Sequence, residues 1–334
     1  MLLSFSAMGW IGKTIVNLTR IRRRMRGPIR ESWSVEHEAF TRVLHHWARR
    51  STRVPLAWQR RALGAMTPKG QAPVPLRWVD ADGVPCAWIR PEGVDRTRTL
   101  VYLHGGGYSI GSVETHRHFI SKLARRTGMQ ALAVDYRLAP ESPFPAQLED
   151  SLRAWRWLRR RGLDPERAVI AGESAGGGLT MSTLIALRDA GEPLPARAAL
   201  LSPWVDLTLR GASHRENARV DFLARPVVET YVRRFMPPGV QPTHPLVSPV
   251  YADLTGLPPL LIQAGGAEAL RDDARMLAER ARACGVDATL SIYEDGIHAF
   301  MLFAGVALAK SAVDEIVAFL SPRERPGDAP RPRG

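Results

Sequence analysis

From residue 100 onward, short apolar runs typical of buried strands alternate with segments of helical periodicity. The apolar runs are TLVYLH, ALAVDY, AVIAGE, AALLSPW, PLLIQAG and ATLSIY, and two shorter strand-like runs, LRWVD and VPCAWIR, precede them. This alternation indicates a mostly parallel sheet flanked by helices, because parallel neighbours are joined by crossover helices. The sequence therefore predicts a large α/β domain, and 334 residues with 45% hydrophobic content can fill its core.

The regions outside this alternation have a different character. Residues 1–70 are basic and predict an N-terminal helical cap segment, in which 30–64 are expected to be helical. Residues 71–321 are expected to form the catalytic domain, and a long proline-containing insertion at about 208–250 predicts a second part of the cap. The tail at 322–334 is rich in proline and arginine, so it is expected to be disordered.

The net charge of +13 belongs mainly to the N-terminal segment. A nucleic-acid partner is not expected, because the basic stretch RIRRRMRG lacks interleaved aromatic residues and any recognisable binding module. The opening residues lack a secretory cleavage pattern and are too short and too polar to span a bilayer. A basic helix packed on the main domain is favoured, and an amphipathic helix lying on a membrane surface is the alternative.

The pentapeptide GESAG, at residues 172–176, follows a predicted strand and precedes a predicted helix. This is the context of the G-x-S-x-G motif, in which a strained turn lifts a serine oxygen above the sheet. Glycine-rich turns before helices are common, so the motif needs further support. Ser174 is the candidate nucleophile.

The stretch HGGG, at residues 104–107, directly follows another predicted strand. Glycines there allow backbone N–H groups to point at a bound oxygen. Gly105 and Gly106, together with the N–H of Ala175, are the predicted oxyanion hole. A phosphate-binding loop is not favoured, because the dinucleotide spacing and a Walker lysine are both lacking.

The stretch EDGIHAF places His298 in a loop between the last predicted strand and a final helix. A lone histidine would carry little weight, but the order serine, acid, histidine along the chain matches that of α/β-hydrolase triads. His298 is therefore the candidate general base and acid. His104 and Asp135 are expected to fix loops through hydrogen bonds, and Glu173 is expected to lie near the pocket without taking part in catalysis.

Several motifs in a fixed order give a resemblance to the bacterial hormone-sensitive-lipase-like esterases. They are HGGGY, DYRLAPESPFPAQLED, GESAGG, SPWVDLT and DGIHAF, and the resemblance covers roughly residues 75–320. It implies an eight-stranded α/β-hydrolase sheet with a helical cap and hydrolysis of short-chain carboxylic esters. A weaker likeness, carried by GGAEALRDD and the early helices, is to monoterpene ε-lactone hydrolases. Tyr108 and Trp204, within these motifs, are candidates for the substrate pocket.

The third triad member departs from the commoner family pattern of an aspartate in this loop. Aligning GAEALRDD places Glu268 at the acid position, and Asp272 is the alternative. Asp272 is expected in the first turn of a helix, where the helix dipole already explains an acid. Glutamate performs the same task in some triads of this fold, so Glu268 is favoured.

The sequence thus predicts a serine carboxyl-ester hydrolase, acting on short esters or lactones, with the first 50 residues covering the acyl pocket. An amidase or deacetylase using the same triad, or a non-catalytic small-molecule-binding protein on the same fold, are the alternatives. No metal or organic cofactor is expected, since the histidines and the two cysteines, Cys86 and Cys284, lack ligand spacing. A cytoplasmic location is expected, and a homodimer is left open.

Overall fold

The computed structural model describes residues 5–66, 74–303 and 307–321 of the chain, and the tail predicted to be disordered lies outside these ranges. Every strand predicted from the sequence is found in a single sheet. The eight strands are β1 (Leu76–Asp80), β2 (Pro85–Ile89), β3 (Asp95–Leu103), β4 (Met129–Val134), β5 (Ala168–Glu173), β6 (Arg197–Leu201), β7 (Leu260–Gly265) and β8 (Ala288–Tyr293).

The strands lie in the order β1-β2-β4-β3-β5-β6-β7-β8. Strand β2 is antiparallel to both of its neighbours, and the other pairs are parallel. This confirms the predicted eight-stranded, mostly parallel sheet. Because the strands from β3 to β8 run in one direction, the loops that follow them meet at one edge of the sheet.

Helices join and cover these strands. Among the described residues they are α1 (Phe5–Arg26), α2 (Val35–Ser51), α3 (Leu56–Met66), α4 (Val113–Thr127), α5 (Ala146–Arg160), α6 (Ala175–Asp189), α7 (Ser213–Glu216), α8 (Arg225–Phe235), α9 (Arg271–Ala283) and α10 (Ala307–Leu320). None of these helices is long and apolar enough to cross a membrane.

The hydrophobic core has two layers, one on each face of the sheet. All six residues of β4 are buried, and alternate residues face opposite layers: Leu132 lies in one, Ala131 and Ala133 in the other. Helices α5, α6 and α9 cover the first layer, and α4 and α10 cover the second. Strands buried on both faces are expected of a parallel sheet.

The predicted helix over residues 30–64 is two helices, α2 and α3, separated by 52–55. Pro55 explains the break, because proline has no N–H to donate and disfavours helical backbone at the preceding residue. Ser34 caps the first of the two helices by accepting a hydrogen bond from the His37 N–H.

A side chain of α3 ties the N-terminal helices to the main domain. Arg60 donates to the carbonyl oxygens of Ser109 and Ala139, at 2.9 and 3.1 Å, and forms a bidentate pair with Glu141. These acceptors lie in the loops that follow β3 and β4. A second set of helices, α7 and α8, lies in the insertion between β6 and β7, where the second part of the cap is predicted.

Candidate active site

Ser174 occupies the turn between β5 and α6, with backbone angles φ 56° and ψ −123°. Positive φ is costly for a residue with a side chain, and it is maintained here by close packing. A Cβ on Gly172 would overlap the Gly176 carbonyl, and one on Gly176 would overlap the Leu103 carbonyl. The glycines of GESAG are therefore required by the turn, which is the geometry that the motif predicts.

Ser174 and His298 line one cavity of about 180 Å³ at the carboxyl edge of the sheet. The wall is mostly apolar, and it includes Trp204 in the loop after β6, Leu270 and side chains of both cap regions. Such a pocket binds a small apolar group beside a few polar atoms. The candidate nucleophile and base thus face the same small space.

His298 is buried, and the carboxyl group of Glu268 lies beside the Nδ1 atom of its ring. The Nδ1 atom lies 3.9 Å from Glu268 Oε2, and among the described residues Nδ1 has no hydrogen-bond partner. Catalytic hydrogen bonds are often longer than usual in a structure without substrate. Burial lowers the pKa of His298 to about 3, so the resting imidazole is neutral and can accept a proton.

Glu268 is fully buried and held by Ser202, whose hydroxyl donates to Oε2 at 2.6 Å. Ser202 also accepts from the Ala299 N–H at 3.1 Å, and it has a positive φ of 45°. Burial, together with the charges of Asp221 and Asp273, raises the pKa of Glu268 well above its ordinary value. Because burial disfavours either charge alone, the Glu268 carboxylate and the imidazolium that forms when His298 takes the serine proton stabilise each other.

Asp272, the alternative acid, does not face His298. It lies in the first turn of α9, as predicted, and accepts a hydrogen bond from the Ser213 N–H at 2.8 Å. It also pairs with Arg271 at 2.9 Å. The geometry therefore favours Glu268 as the acid beside the imidazole.

The predicted oxyanion hole needs one correction. The N–H of Gly105 donates to the Glu173 carboxylate, so it is not available to a substrate oxygen. Gly106 and Gly107 line the pocket, and in the described part of the chain their N–H groups have no recorded acceptor. Ala175 begins α6, where an N–H has no partner within the helix. The third glycine of HGGG thus replaces the first as a candidate donor.

Glu173, next to the serine, acts as a brace for this loop. Its carboxylate accepts from the Gly105 N–H and the Tyr102 hydroxyl, and it lies 2.8 Å from His116 Nε2. His104 stacks between His116 and Tyr136, at 5.4 and 4.2 Å between ring centroids. The predicted structural role of the HGGG histidine agrees with this packing.

Of the two predicted pocket aromatics, one lines the cavity and one does not. Trp204 lines it, whereas Tyr108 is buried in the core and its ring stacks on Phe235 at 3.9 Å. The assignment of Tyr108 to the pocket is therefore wrong. Its φ of 58° instead marks the tight turn after the glycines.

The cap over the pocket comes from two parts of the chain. Trp47, Ala48 and Ser51 of α2 and Leu63 of α3 line the cavity, as do five residues of the 208–250 insertion: Phe222, Leu223, Val227, Val228 and Tyr231. The expectation that the first 50 residues cover the pocket thus applies to α2, and α3 extends the cover. The residues of α1 whose side chains are described do not line the cavity.

No group of three or more metal-ligating side chains occurs within residues 5–66, 74–303 and 307–321. The site itself brings together a serine, an imidazole, a carboxyl group and backbone N–H donors.

Comparison with known proteins agrees with this fold. A family model described as the alpha/beta hydrolase fold matches residues 100–302. An acetyl-hydrolase of Streptomyces hygroscopicus is 46% identical over 70% of this chain and 78% of its own. Carboxylesterase NlhH of Mycobacterium tuberculosis is 36% identical over 70% of this chain and 77% of its own.

Solved structures give the same result. A mutant of the esterase E40 superposes with a TM-score of 0.81 and 41% identity, covering 85% of this chain and 97% of that one. An esterase from the bacterial hormone-sensitive lipase family gives a TM-score of 0.76 and 39% identity over 96% and 98% of the chains. The chain belongs to the alpha/beta hydrolase fold family, in its bacterial hormone-sensitive-lipase-like branch.

Proposed function

We propose that this protein is a serine carboxyl-ester hydrolase that cleaves small esters through an acyl-enzyme. The observation that carries the proposal is the arrangement around one cavity: Ser174 on a strained turn, His298 facing the same space, and Glu268 beside the Nδ1 of that histidine. The acetyl-hydrolase and carboxylesterase relatives support the same reaction.

In the first half of the reaction, Ser174 Oγ attacks the ester carbonyl carbon while His298 Nε2 takes the hydroxyl proton. The carbonyl oxygen becomes an oxyanion, which the N–H groups of Gly106, Gly107 and Ala175 stabilise. Glu268 stabilises the imidazolium through Nδ1. When the C–O bond of the leaving group breaks, His298 gives its proton to the departing alkoxide, and an acyl ester on Ser174 remains.

In the second half, His298 takes a proton from a water molecule, whose oxygen attacks the acyl carbon. Collapse of this second tetrahedral intermediate breaks the bond to Ser174 Oγ, and the proton returns to the serine. The products are a carboxylic acid and an alcohol. Every proton transfer uses the same imidazole, so no metal or cofactor is needed in this scheme.

The cavity supports short acyl groups. Its volume is about 180 Å³, and Trp47, Leu63 and Trp204 close it with bulky side chains. Small lactones are included in the proposal, because ring opening forms the same acyl-enzyme with the alcohol still attached. A cytoplasmic location, the absence of a nucleic-acid partner and a choice between monomer and homodimer stay predictions.

A chain-length series of p-nitrophenyl esters, from acetate to dodecanoate, tests this proposal on the purified protein. We expect kcat/KM to be highest for the short chains and an initial burst of p-nitrophenol stoichiometric with enzyme. A panel of lactones and a matched anilide measure ring opening and amide cleavage in the same assay. Faster turnover of the anilide would favour the amidase alternative, and no turnover of any substrate would favour a binding protein.

A further inference from the structure

A buried carboxylate in the cap insertion contacts both loops of the candidate His–Glu pair. Asp221 lies between α7 and α8, is fully buried, and is not part of the pocket wall. Its Oδ2 accepts a hydrogen bond from the Ala269 N–H at 2.7 Å, and its Oδ1 accepts one from the His298 N–H at 3.3 Å. Ala269 directly follows the candidate acid, Glu268.

The same insertion holds the acid loop at further points. The Ser213 hydroxyl donates to the Ala269 carbonyl at 2.6 Å, and the Asn217 amide donates to the Glu268 carbonyl at 2.8 Å. These two side chains contact the acid loop, and among the described residues their hydrogen bonds do not reach the loop of His298. Asp221 differs from them because one carboxylate connects both loops.

In the part of the chain that the structure describes, Asp221 forms no ion pair. In the described part of the chain its hydrogen bonds come from the backbone N–H groups of Ala269, His298, Phe222 and Leu223. Burial raises the pKa of Asp221 to about 6, and these hydrogen bonds only partly offset the effect. Ionisation at neutral pH therefore costs folding free energy.

The segment around Asp221 is also linked to the N-terminal part of the cap. His45 Nδ1 of α2 lies 2.7 Å from the Asp221 carbonyl oxygen. The next residue, Phe222, contacts the His298 ring edge to face, with 5.6 Å between centroids. A displacement of the cap would therefore reach the imidazole through two adjacent residues.

We propose that Asp221 is a positioning residue, which fixes the imidazole of His298 relative to the carboxyl group of Glu268 by holding the backbone of both loops. It touches neither the substrate cavity nor the reacting atoms. The inference about the loops stands on their geometry, and its effect on turnover rests on the proposed function. The two parts are tested by separate measurements.

The experiment compares Asp221→Asn, which keeps the shape, and Asp221→Ser, which is too short to connect both loops. Asn217→Ala is the matched control, because it removes a contact to the acid loop alone. For each variant we would measure kcat and KM for p-nitrophenyl acetate, the thermal unfolding midpoint, and amide hydrogen exchange of peptides covering 266–270 and 295–300.

We expect both Asp221 variants to lower kcat about 10- to 100-fold while KM stays within about twofold, as loss of a supporting contact does. Exchange should accelerate in both peptides, whereas the Asn217 variant should affect only 266–270. Unchanged exchange at 295–300 in folded Asp221 variants overturns the proposal, and so does a loss confined to KM. If the wild-type protein hydrolyses no ester, the proposed function fails while the exchange data still decide the positioning role.

Discussion

One buried glutamate precedes the candidate nucleophile along the chain and another follows it, and their surroundings have opposite effects on negative charge. Burial raises the pKa of Glu173, but the charge of His116 and two hydrogen bonds outweigh it, so the pKa lies below its ordinary value. Glu268 receives one side-chain hydrogen bond, from Ser202, and its Oε1 has no partner among the described residues. Its pKa is raised by burial and by like charges.

The difference shows what each carboxyl group does. Glu173 is fully engaged in the resting structure, as a brace that organises the HGGG loop. Glu268 is only partly engaged: its Oε1 has no partner among the described residues, and its Oε2 lies 3.9 Å from His298 Nδ1. A satisfied buried carboxylate contributes to the structure, whereas an unsatisfied one beside an imidazole is suited to stabilising a transient charge.

The largest expected effect concerns the serine between them. Ser174→Ala should lower kcat by about 10⁶-fold, the order expected when a triad nucleophile is lost. Circular dichroism and the unfolding midpoint should stay close to wild type, because alanine fits the space of serine. Substantial turnover of p-nitrophenyl acetate by the folded variant would show that another residue is the nucleophile.

Glu268→Gln tests the unsatisfied glutamate. We expect kcat to fall by about 10⁴-fold, because the amide can no longer stabilise the imidazolium and favours the wrong tautomer. Asp272→Asn is the control and should cost at most about tenfold, through loop positioning. Steady-state kinetics of the two variants decide the matter: losses in the reverse order would identify Asp272 as the acid.

Glu173→Gln tests the satisfied glutamate, mainly through stability. Removing one member of the buried pair with His116 should lower the free energy of unfolding by about 3 kcal/mol. Moving the HGGG loop should lower kcat about 10- to 100-fold, far less than the Glu268 variant does. Urea denaturation measures the first effect, with Glu141→Gln as a surface control expected to cost under about 1 kcal/mol. If the two variants were equally stable, the brace would contribute little.

The smallest effect is on the pH dependence of stability. Burial lowers the pKa of His116, but the charge of Glu173 and its hydrogen bond raise the pKa by more, so the result lies above 6.5. The contribution of His116 to stability is thus full below pH 6.5 and is lost as pH rises through the raised pKa. That of Glu173 is present above pH 4.5 and is lost as pH falls through the lowered pKa. The free energy of unfolding, measured from pH 3 to 9, should fall at both ends of this range in wild type and should change less steeply with pH in Glu173→Gln. Equal slopes in the two proteins would contradict the coupling between His116 and Glu173.

The fold and the main site residues could be predicted because each depends on local pattern. Ser174, Glu268 and His298 follow β5, β7 and β8, and the carboxyl ends of parallel strands meet at one edge. Hydrophobic periodicity and the order of the motifs are therefore enough to predict that these three residues lie close together.

The errors concern residues whose role depends on distant partners. The direction of the Gly105 N–H is set by Glu173, 68 positions later, and the Tyr108 ring is held by Phe235 of the insertion. The positioning role inferred for Asp221 was not predicted, because a polar residue in an irregular insertion carries no periodicity. Only its burial and its contacts distinguish it.

The contacts of Arg60 have a consequence for the order of assembly on the ribosome. The helix that carries this arginine, α3, is synthesised before any of the strands, whereas its acceptors, Ser109 and Ala139, belong to loops that follow β3 and β4. Helix α3 therefore cannot make these contacts until the chain has been synthesised beyond Ala139. Nascent chains released before this point would be the form most in need of a chaperone.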